Sequence, residues 1–279
     1  MNSYRFTTRM ERIFEIARDG NEKGIIVPVD LFIAACKEGT GVCGELYLYL
    51  RKHLGDDFIH QIDDRSGTLV RNGYVHLNHL KISEETSRLL KRAGERKDHY
   101  GQTLINEGHV IQSILESDER LGEVLSDEVK AGIIDIACVP RDLIVHLPSF
   151  SRESLSKNKN AIRRADHADL SQLRSFITQE FGERWLHHLH NVEAEKRLPI
   201  FIAERDGEII GFACYDLVRN KKGLFGPMGT SCQQRFHSVG KELLYTCLQE
   251  MSQMGYEYAV IGEAGPIEFY EKSCQAKLI

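Results

Sequence analysis

The 279-residue sequence lacks a long apolar run, an excess of basic residues and paired cysteines. No apolar segment approaches the roughly 18 residues of a membrane-spanning helix, and the first six residues do not form a signal peptide. The formal net charge of −5 gives no indication of a nucleic acid or an anionic membrane as partner. The seven cysteines are scattered, with no C-x-x-C pair, which is typical of reduced thiols rather than of a disulfide framework or zinc site. We therefore expect a cytoplasmic protein without a bound metal.

Length and composition predict two globular domains. The hydrophobic fraction of 42% and the charged fraction of 28% are typical of soluble globular proteins. The stretch 148–160 is rich in Ser, Asn and Lys and has no periodicity, which predicts a linker. We expect a helical domain over residues 1–127, a connecting segment and linker over 128–159, and an α/β domain over 160–279.

The first domain contains a duplicated helical pattern. Each copy begins with a helix of apolar periodicity, after a threonine cap in the first copy and after Ser83 in the second. The residues predicted to face inward are Met10, Ile13, Phe14 and Ala17 in the first copy and Leu89, Leu90 and Ala93 in the second. A second apolar helix follows in each copy, near 29–35 and 108–115. Since neither copy can bury its own apolar face, we expect the two to pack as a pseudo-symmetric bundle.

This repeated pattern resembles the N-terminal domain of Clp-type AAA+ unfoldases. The matching stretches are Phe6-Thr-Thr in the first copy and His109-Val-Ile-Gln-Ser-Ile-Leu in the second, and Asp30 replaces the histidine in the first copy. In that family the domain is a docking platform for substrates and adaptors, so the resemblance implies a protein or peptide partner. No G-x-x-x-x-G-K-[ST] sequence occurs between residues 1 and 279, so this stretch does not contain the ATPase motor.

A transition from strand to helix in the second domain predicts an anion site. The glycine-punctuated apolar segment 223–230 precedes the turn Arg235-Phe-His-Ser-Val-Gly240, and a helical pattern opens there. Such a turn presents several backbone N–H groups at one point, where the helix dipole also favours negative charge. Taken alone, this stretch is more often an ordinary turn, so its neighbours decide the interpretation.

The predicted element order around this turn resembles the GNAT family of N-acetyltransferases over about residues 160–279. The order is a strand, two helices, three antiparallel strands, the turn with its helix, a strand, a helix and a last strand. Three stretches carry the resemblance. The turn matches Q/R-x-x-G-x-G/A except at Ser238. The other two are the strand pair 202–213, with its Asp-Gly hairpin, and Phe269-Tyr-Glu-Lys272. The resemblance implies a mixed, mostly antiparallel sheet flanked by helices, with acetyl-CoA as cosubstrate and an amine as acceptor.

The resemblance also implies where acetyl-CoA binds. Its pyrophosphate would lie on the turn and the first turn of the helix, and its pantetheine would enter a gap between the strands on either side of that helix. The thioester oxygen would meet a backbone N–H near the end of the preceding strand. The residues implied are Met228, Gly229 and Thr230 on the strand and Arg235, Phe236, His237, Ser238, Val239, Gly240 and Lys241 at the turn. Because Ser238 replaces a glycine, it must adopt the dihedral that glycine favours or distort the turn.

Two side chains are candidates for the chemistry. Tyr270 occupies the position from which the family often protonates the leaving thiolate, and ordinary aromatic packing is the alternative. Glu263 ends the strand beside the gap and is the candidate base for the amine proton, directly or through water. A purely structural role for Glu263 is the alternative.

Two interpretations stay open at the level of sequence. The histidines of Trp185–His190, on a helix predicted over 183–197, fit a solvated face better than a metal site, and the family position suggests an acceptor pocket. The whole protein is either an acetyltransferase or a non-catalytic module that senses acyl-CoA or binds proteins through a degenerate domain. The sequence stops at Ile279, soon after a strand beginning at Ala276, which is expected to leave an open sheet edge.

Overall fold

The computed structural model describes residues 4–20, 24–66, 73–118, 121–150, 161–189, 192–218, 221–232 and 238–279, without the side chains of residues 65, 66, 122, 123, 161, 184 and 188. The chain forms two compact units, Met1–Val139 and Pro140–Ile279. The first is helical and the second mixes strands and helices, which confirms the predicted fold classes. The boundary falls inside the segment 128–159.

The first unit is mainly helical in its described part. Its helices are α1 Thr8–Asp19, α2 Pro28–Glu38, α3 Val42–Leu54, α4 Phe58–Ser66, α5 Glu84–His99, α6 Glu107–Ser117, α7 Leu121–Val124 and α8 Asp127–Ala137. Three short strands, β1 Ile25–Ile26, β2 Val75–Leu77 and β3 Leu80–Ile82, form a sheet in the order β1-β3-β2. The seven residues predicted to face inward from α1 and α5 are all at most 4% exposed, so both apolar faces are confirmed.

The two helical copies are joined by matching pairs of backbone segments. Phe6, before α1, bridges Ile105, before α6, and β1, before α2, pairs with β3, before α5. Arg9 of α1 also donates to Glu107 Oε1 of α6 over 2.7 Å, and both side chains are buried. A buried ion pair is tolerated because each charge has its partner within hydrogen-bond distance. The predicted pseudo-symmetric bundle is confirmed.

Asp30 in the first copy caps its helix in the same way as His109 at the matching position of the second copy. The Val27 N–H donates to Asp30 Oδ2 over 2.9 Å, and the Asn106 N–H donates to His109 Nδ1 over 3.1 Å. Each side chain therefore returns a capping bond to the residue before its helix. Burial, followed by nearby positive charges, lowers the pKa of His109 to about 4, which keeps Nδ1 available as an acceptor.

The second unit is a seven-stranded sheet with helices on both faces. Its strands are β4 Arg141–His146, β5 Ala161–Arg164, β6 Ile200–Arg205, β7 Glu208–Tyr215, β8 Leu224–Thr230, β9 Tyr258–Ala264 and β10 Lys277–Leu278. Its α-helices are α9 Leu170–Phe181, α10 Val239–Gln253 and α11 Ile267–Cys274. The strand order is β10-β4-β9-β8-β7-β6-β5, and β8 and β9 are parallel whereas the other neighbours are antiparallel.

The helix predicted over 183–197 is replaced by two 3-10 segments, Glu183–Leu189 and Val192–Ala194. Leu189 and Val192 are buried in the core that α9 forms on one face of β6 and β7. Each of the two 3-10 segments thus contributes an apolar residue to this core.

Strand β4 was not expected from the sequence. It lies within 128–159, yet it is inserted between β9 and β10 and pairs antiparallel with both. Leu143 and Val145 are two residues apart, so they lie on the same face of β4. Both are at most 1% exposed, which makes this face a buried one. A strand from earlier in the chain therefore pairs with β9, and β10 and β5 form the two edges of the described sheet.

Candidate functional site

The parallel strands β8 and β9 separate soon after they begin. Within the described residues their pairing covers Leu224 with Val260 and Phe225 with Ile261. Beyond Phe225, β8 continues to pair with β7 on its other side as far as Thr230, after a register shift. A gap therefore opens between β8 and β9, at the place where the resemblance implies the pantetheine channel.

Two backbone amides of β8 point towards this gap. The Ser231 N–H donates to Ile210 O of β7 over 2.9 Å. Successive amides of an antiparallel strand alternate in direction, so the Gly229 N–H also faces β7. The N–H groups of Met228 and Thr230 then face away from β7 and into the gap. Both residues are half-buried, so these donors lie at a partly shielded site.

Aromatic side chains that pack against β8 leave no room for a side chain at Gly229. A methyl group built on Gly229 would lie 2.4 Å from Phe181 Cζ. The Phe181 ring stacks on Trp185 with a centroid distance of 4.7 Å and meets the ring of Phe212 edge-on. Trp185 therefore belongs to an aromatic layer that covers this end of the strand.

The turn that follows β8 is described only in part. Arg235, Phe236 and His237 lie outside the described residues. Ser238 has φ 60° and ψ 3°, the left-handed conformation that glycine adopts freely. Of the two possibilities left by the sequence, Ser238 thus adopts the required dihedral, at a cost of about 1–2 kcal/mol relative to a right-handed residue.

Helix α10 begins at Val239, directly after its cap residue Ser238. The first intrahelical bond runs from the Glu242 N–H to Ser238 O over 3.0 Å. The amides of Val239 and Gly240 precede this bond and lie at the positive end of the helix dipole. Val239 is buried, and the Lys241 ammonium lies 5.3 Å from the centroid of the Tyr245 ring.

Gly240 marks the point where three elements meet. A methyl group on Gly240 would lie 3.8 Å from Thr230 Cγ2, 4.0 Å from Met228 Cε and 4.0 Å from Phe269 Cζ. The first turn of α10, the end of β8 and helix α11 therefore converge here. The described residues implied for acetyl-CoA binding are thus neighbours in space.

Glu180, near the end of α9, binds the two residues that directly follow β8. The sequence did not predict this contact. Its carboxylate accepts from Ser231 Oγ over 2.9 Å and from the Cys232 N–H over 3.0 Å. These contacts fix the chain directly before the turn. Because 51 residues separate Glu180 from Ser231, no local pattern in the sequence points to this contact.

Tyr270 lies on α11 beside the point where β8 and β9 separate. Its ring meets Phe225 edge-on at a centroid distance of 6.3 Å and Phe269 at 5.0 Å. Tyr270 is 7% exposed. Burial, with a smaller contribution from Cys274, raises the pKa of the phenol well above its usual range, so the hydroxyl stays protonated at neutral pH.

Glu263 lies on the other border of the gap, two residues beyond the last β9 residue paired with β8. It is exposed and has φ 50°, again in the left-handed region. Its N–H donates to Asp142 Oδ1 of β4 over 2.7 Å. The two candidate catalytic side chains belong to β9 and to the helix α11 that follows it, here called the β9 side, although the Tyr270 ring contacts Phe225 of β8. The implied binding amides belong to β8 and to the start of α10, here called the β8 side.

The remaining predictions concern metals and membranes. His187 is exposed, and His190 lies outside the described residues, as does the side chain of His188. In the described part of the chain, no group of three or more His, Cys, Asp or Glu side chains is placed to hold a metal ion. No described helix is both long and apolar enough to cross a membrane.

A protein-family model matches part of the second unit. Residues 168–275 match the model of the Acetyltransferase (GNAT) family, which supports acetyl transfer as the general reaction of this part of the chain. A comparison with curated protein sequences finds no match.

Similar solved structures include the following three. One is the N-terminal domain of the chaperone ClpD from Arabidopsis thaliana, at 15% identity over 48% of this chain and 96% of that one, with a TM-score of 0.37. Another is AAC(6')-Iy in complex with a CoA-containing bisubstrate analog, at 21% identity over 42% of this chain and 88% of that one, with a TM-score of 0.34. A third is a fungal multi-domain GH3 beta-N-acetylglucosaminidase with a glucosamine N-acetyltransferase region, at 15% identity over 50% of this chain, with a TM-score of 0.44. The match spans only 20% of the length of that fungal protein.

Proposed function

We propose that residues 140–279 transfer an acetyl group from acetyl-CoA to an amine by direct attack, without a covalent enzyme intermediate. The observation that carries the proposal is the gap between β8 and β9, with the amides of Met228 and Thr230 facing it and the start of α10 beside it. Half-buried donors beside a helix N-terminus suit a ligand with both a thioester and a pyrophosphate.

In this proposal the two ends of acetyl-CoA contact different elements. The pyrophosphate lies on the turn and on the first amides of α10, Val239 and Gly240, where the helix dipole favours an anion. The pantetheine occupies the gap. The thioester oxygen accepts from the Met228 or Thr230 N–H, and this hydrogen bond strengthens as the oxygen becomes an oxyanion.

The acetyl transfer then requires two proton movements. The amine nitrogen attacks the thioester carbon, so that a C–N bond forms and the C–S bond breaks. Glu263 accepts the proton that the amine loses, and its exposure permits a water molecule to relay it. Tyr270, kept protonated by burial, donates a proton to the leaving thiolate.

Calorimetry with acetyl-CoA and an assay of thiol release test the proposal. The acceptor panel is spermidine, glucosamine, kanamycin, lysine and a peptide with a free N-terminus. We expect acetyl-CoA to bind and at least one amine to accelerate thiol release. No binding at millimolar acetyl-CoA would instead favour a protein-interaction module.

Proline substitution identifies the oxyanion donor. Because the amides of Met228 and Thr230 face away from β7, proline at either position removes a donor to the gap without removing a β7 hydrogen bond. We expect one of M228P and T230P to lower kcat by about 100-fold, as for the loss of one oxyanion donor. The alanine variants M228A and T230A keep the N–H and serve as matched controls.

We further propose that the first unit binds a protein or peptide. The proposal is supported by its duplicated helical architecture with a core of its own and by the exposed side chains Leu48 and Tyr100. Turnover of a small amine and of a protein acceptor is compared for the full chain and for residues 140–279. A recognition role predicts that removal of the first unit slows only the protein acceptor. Equal rates on both acceptors would contradict it.

We place the protein in the cytoplasm. All seven cysteines are free thiols, which fits a reducing compartment. Fractionation of cells followed by immunodetection tests the location, and recovery from an oxidising compartment would contradict it.

A further inference from the structure

Strand β4 lies outside the matched GNAT domain but reaches its candidate catalytic residue. The family match begins at residue 168, whereas β4 covers Arg141–His146. In the sheet, β4 nevertheless pairs with β9 along its length. One of its residues, Asp142, therefore lies opposite the end of β9 where Glu263 is found.

The pairing of β4 and β9 is irregular at this point. Arg141 pairs with Ala264 and Leu143 pairs with Ile261, so two residues of β9 face the single residue Asp142. Such a bulge redirects the extra residue out of the regular alternation. Here the redirected residue is Glu263, with φ 50°.

The backbone of Glu263 is held in this conformation by Asp142. The Glu263 N–H donates to Asp142 Oδ1 over 2.7 Å, a charge-assisted hydrogen bond that offsets the cost of the left-handed dihedral. Asp142 is fixed in turn, because its main-chain oxygen accepts from the Ile279 N–H over 3.2 Å. The residue before Glu263 has little freedom, since a methyl group on Gly262 would lie 2.9 Å from Leu224 Cδ2.

We propose that Asp142 is a positioning residue for acetyl transfer: by accepting the Glu263 N–H, it fixes the bulge that presents the Glu263 carboxylate at the gap between β8 and β9. The inference rests on the proposed function, because it requires Glu263 to accept the amine proton. It extends the active unit beyond the matched domain to a strand that precedes residues 151–160.

A double-mutant cycle in the full chain tests this inference. The measurement is thiol release from acetyl-CoA with the fastest amine of the panel, for wild type, D142A, E263Q and the double variant. We expect D142A to lower kcat about fivefold, as for the loss of one positioned hydrogen bond, while KM for acetyl-CoA changes less than about twofold. In the E263Q background, D142A should have no further effect, because the group that it positions is already absent.

Two further variants separate positioning from folding. D142N keeps an oxygen at Oδ1 that can accept the Glu263 N–H, so we expect it to restore most of the turnover lost in D142A. H146A changes the opposite end of the same strand, where His146 contacts Ser149, and should leave kcat unchanged. Hydrogen exchange at the Glu263 amide should accelerate in D142A but not in D142N.

The possible outcomes are distinct. Equal loss of kcat from D142A in both backgrounds, or equal loss in D142N and D142A, overturns the positioning role. If the wild type is active and E263Q has the same kcat, Glu263 does not take part in the mechanism and the inference is overturned. The acetyltransferase assignment then stays intact. No thiol release from wild type with any amine of the panel overturns the proposed function itself, and the inference with it.

Discussion

The two strands that border the gap lead to the same backbone conformation but supply different chemical groups. After β8 the chain reaches Ser238 at φ 60°, and β9 contains Glu263 at φ 50°. The β8 side presents backbone amides and the start of α10, whereas the β9 side presents the side chains of Glu263 and Tyr270. We conclude that changes at the start of α10 should alter the Kd of acetyl-CoA, and that loss of a β8 amide or of a side chain on the β9 side should alter kcat.

The support of the two left-handed residues also differs. The Glu263 amide is held by a carboxylate from β4, but the Ser238 side chain makes no capping bond to a described residue. A strained residue that persists must be held by its surroundings. The Asp142 contact is such support at Glu263, and glycine at position 238 tests what the strain costs at Ser238.

The largest effect on the β9 side is expected from Y270F. Loss of the phenol proton donor should lower kcat by about 100-fold, since general acid catalysis typically contributes that much or more. The Kd of acetyl-CoA should stay within about twofold, because the ring and its contacts with Phe225 and Phe269 remain. Steady-state kinetics and calorimetry measure the two quantities.

Y245F is the matched control for that substitution. The Tyr245 hydroxyl donates to Ser273 O over 2.7 Å, a bond within the fold, so its loss should reduce stability rather than kcat. Because burial raises the pKa of Tyr270, its acid form should persist above the ordinary tyrosine value of about 10. A decline of kcat that belongs to Tyr270 and starts well below pH 10 would contradict this role.

A smaller effect on the same side is expected from E263Q. The side chain is exposed, so water can accept part of the proton flux, and kcat should fall by about tenfold rather than by the larger factors typical of buried bases. The loss should shrink as the pH approaches the pKa of the acceptor amine, because more of the amine is then already neutral and has no ammonium proton to give up before it attacks. E257Q, near the opposite end of β9, is the control. An E263Q defect that is independent of pH would indicate a structural role.

On the β8 side, two glycines offer a matched comparison of packing. An alanine methyl at position 229 would lie 2.4 Å from Phe181 Cζ, whereas one at position 240 would meet its neighbours at 3.8 Å or more. G229A should therefore lower the free energy of unfolding by about 1–3 kcal/mol through overpacking, and G240A should leave it unchanged or raise it. Thermal unfolding measures both. Equal stability of the two variants would show that the Phe181 ring moves aside without cost.

Local sequence patterns predicted one side of the gap better than the other. Periodicity identified the strands and helices around it, and a single mismatch in a short motif pointed to the strained position Ser238. The strand β4 and the Asp142 contact could not be predicted, because the bond to Glu263 joins residues 121 positions apart and follows no periodicity. A bulge depends on the register of two strands, which a short strand such as β4 does not reveal in sequence.

The smallest effect is expected from S238G, and it tests the comparison most directly. Glycine removes a left-handed penalty of about 1–2 kcal/mol but adds about 0.5–1 kcal/mol of backbone entropy in the unfolded chain. The free energy of unfolding should therefore rise by roughly 0.5–1 kcal/mol, and acetyl-CoA should bind as well as before or up to about fivefold more tightly at unchanged kcat. E263G removes the same kind of strain on the other side, but it should lower kcat because the carboxylate is lost. If S238G instead weakens acetyl-CoA binding, the Ser238 hydroxyl itself contributes to binding, and the β8 side acts through more than its backbone.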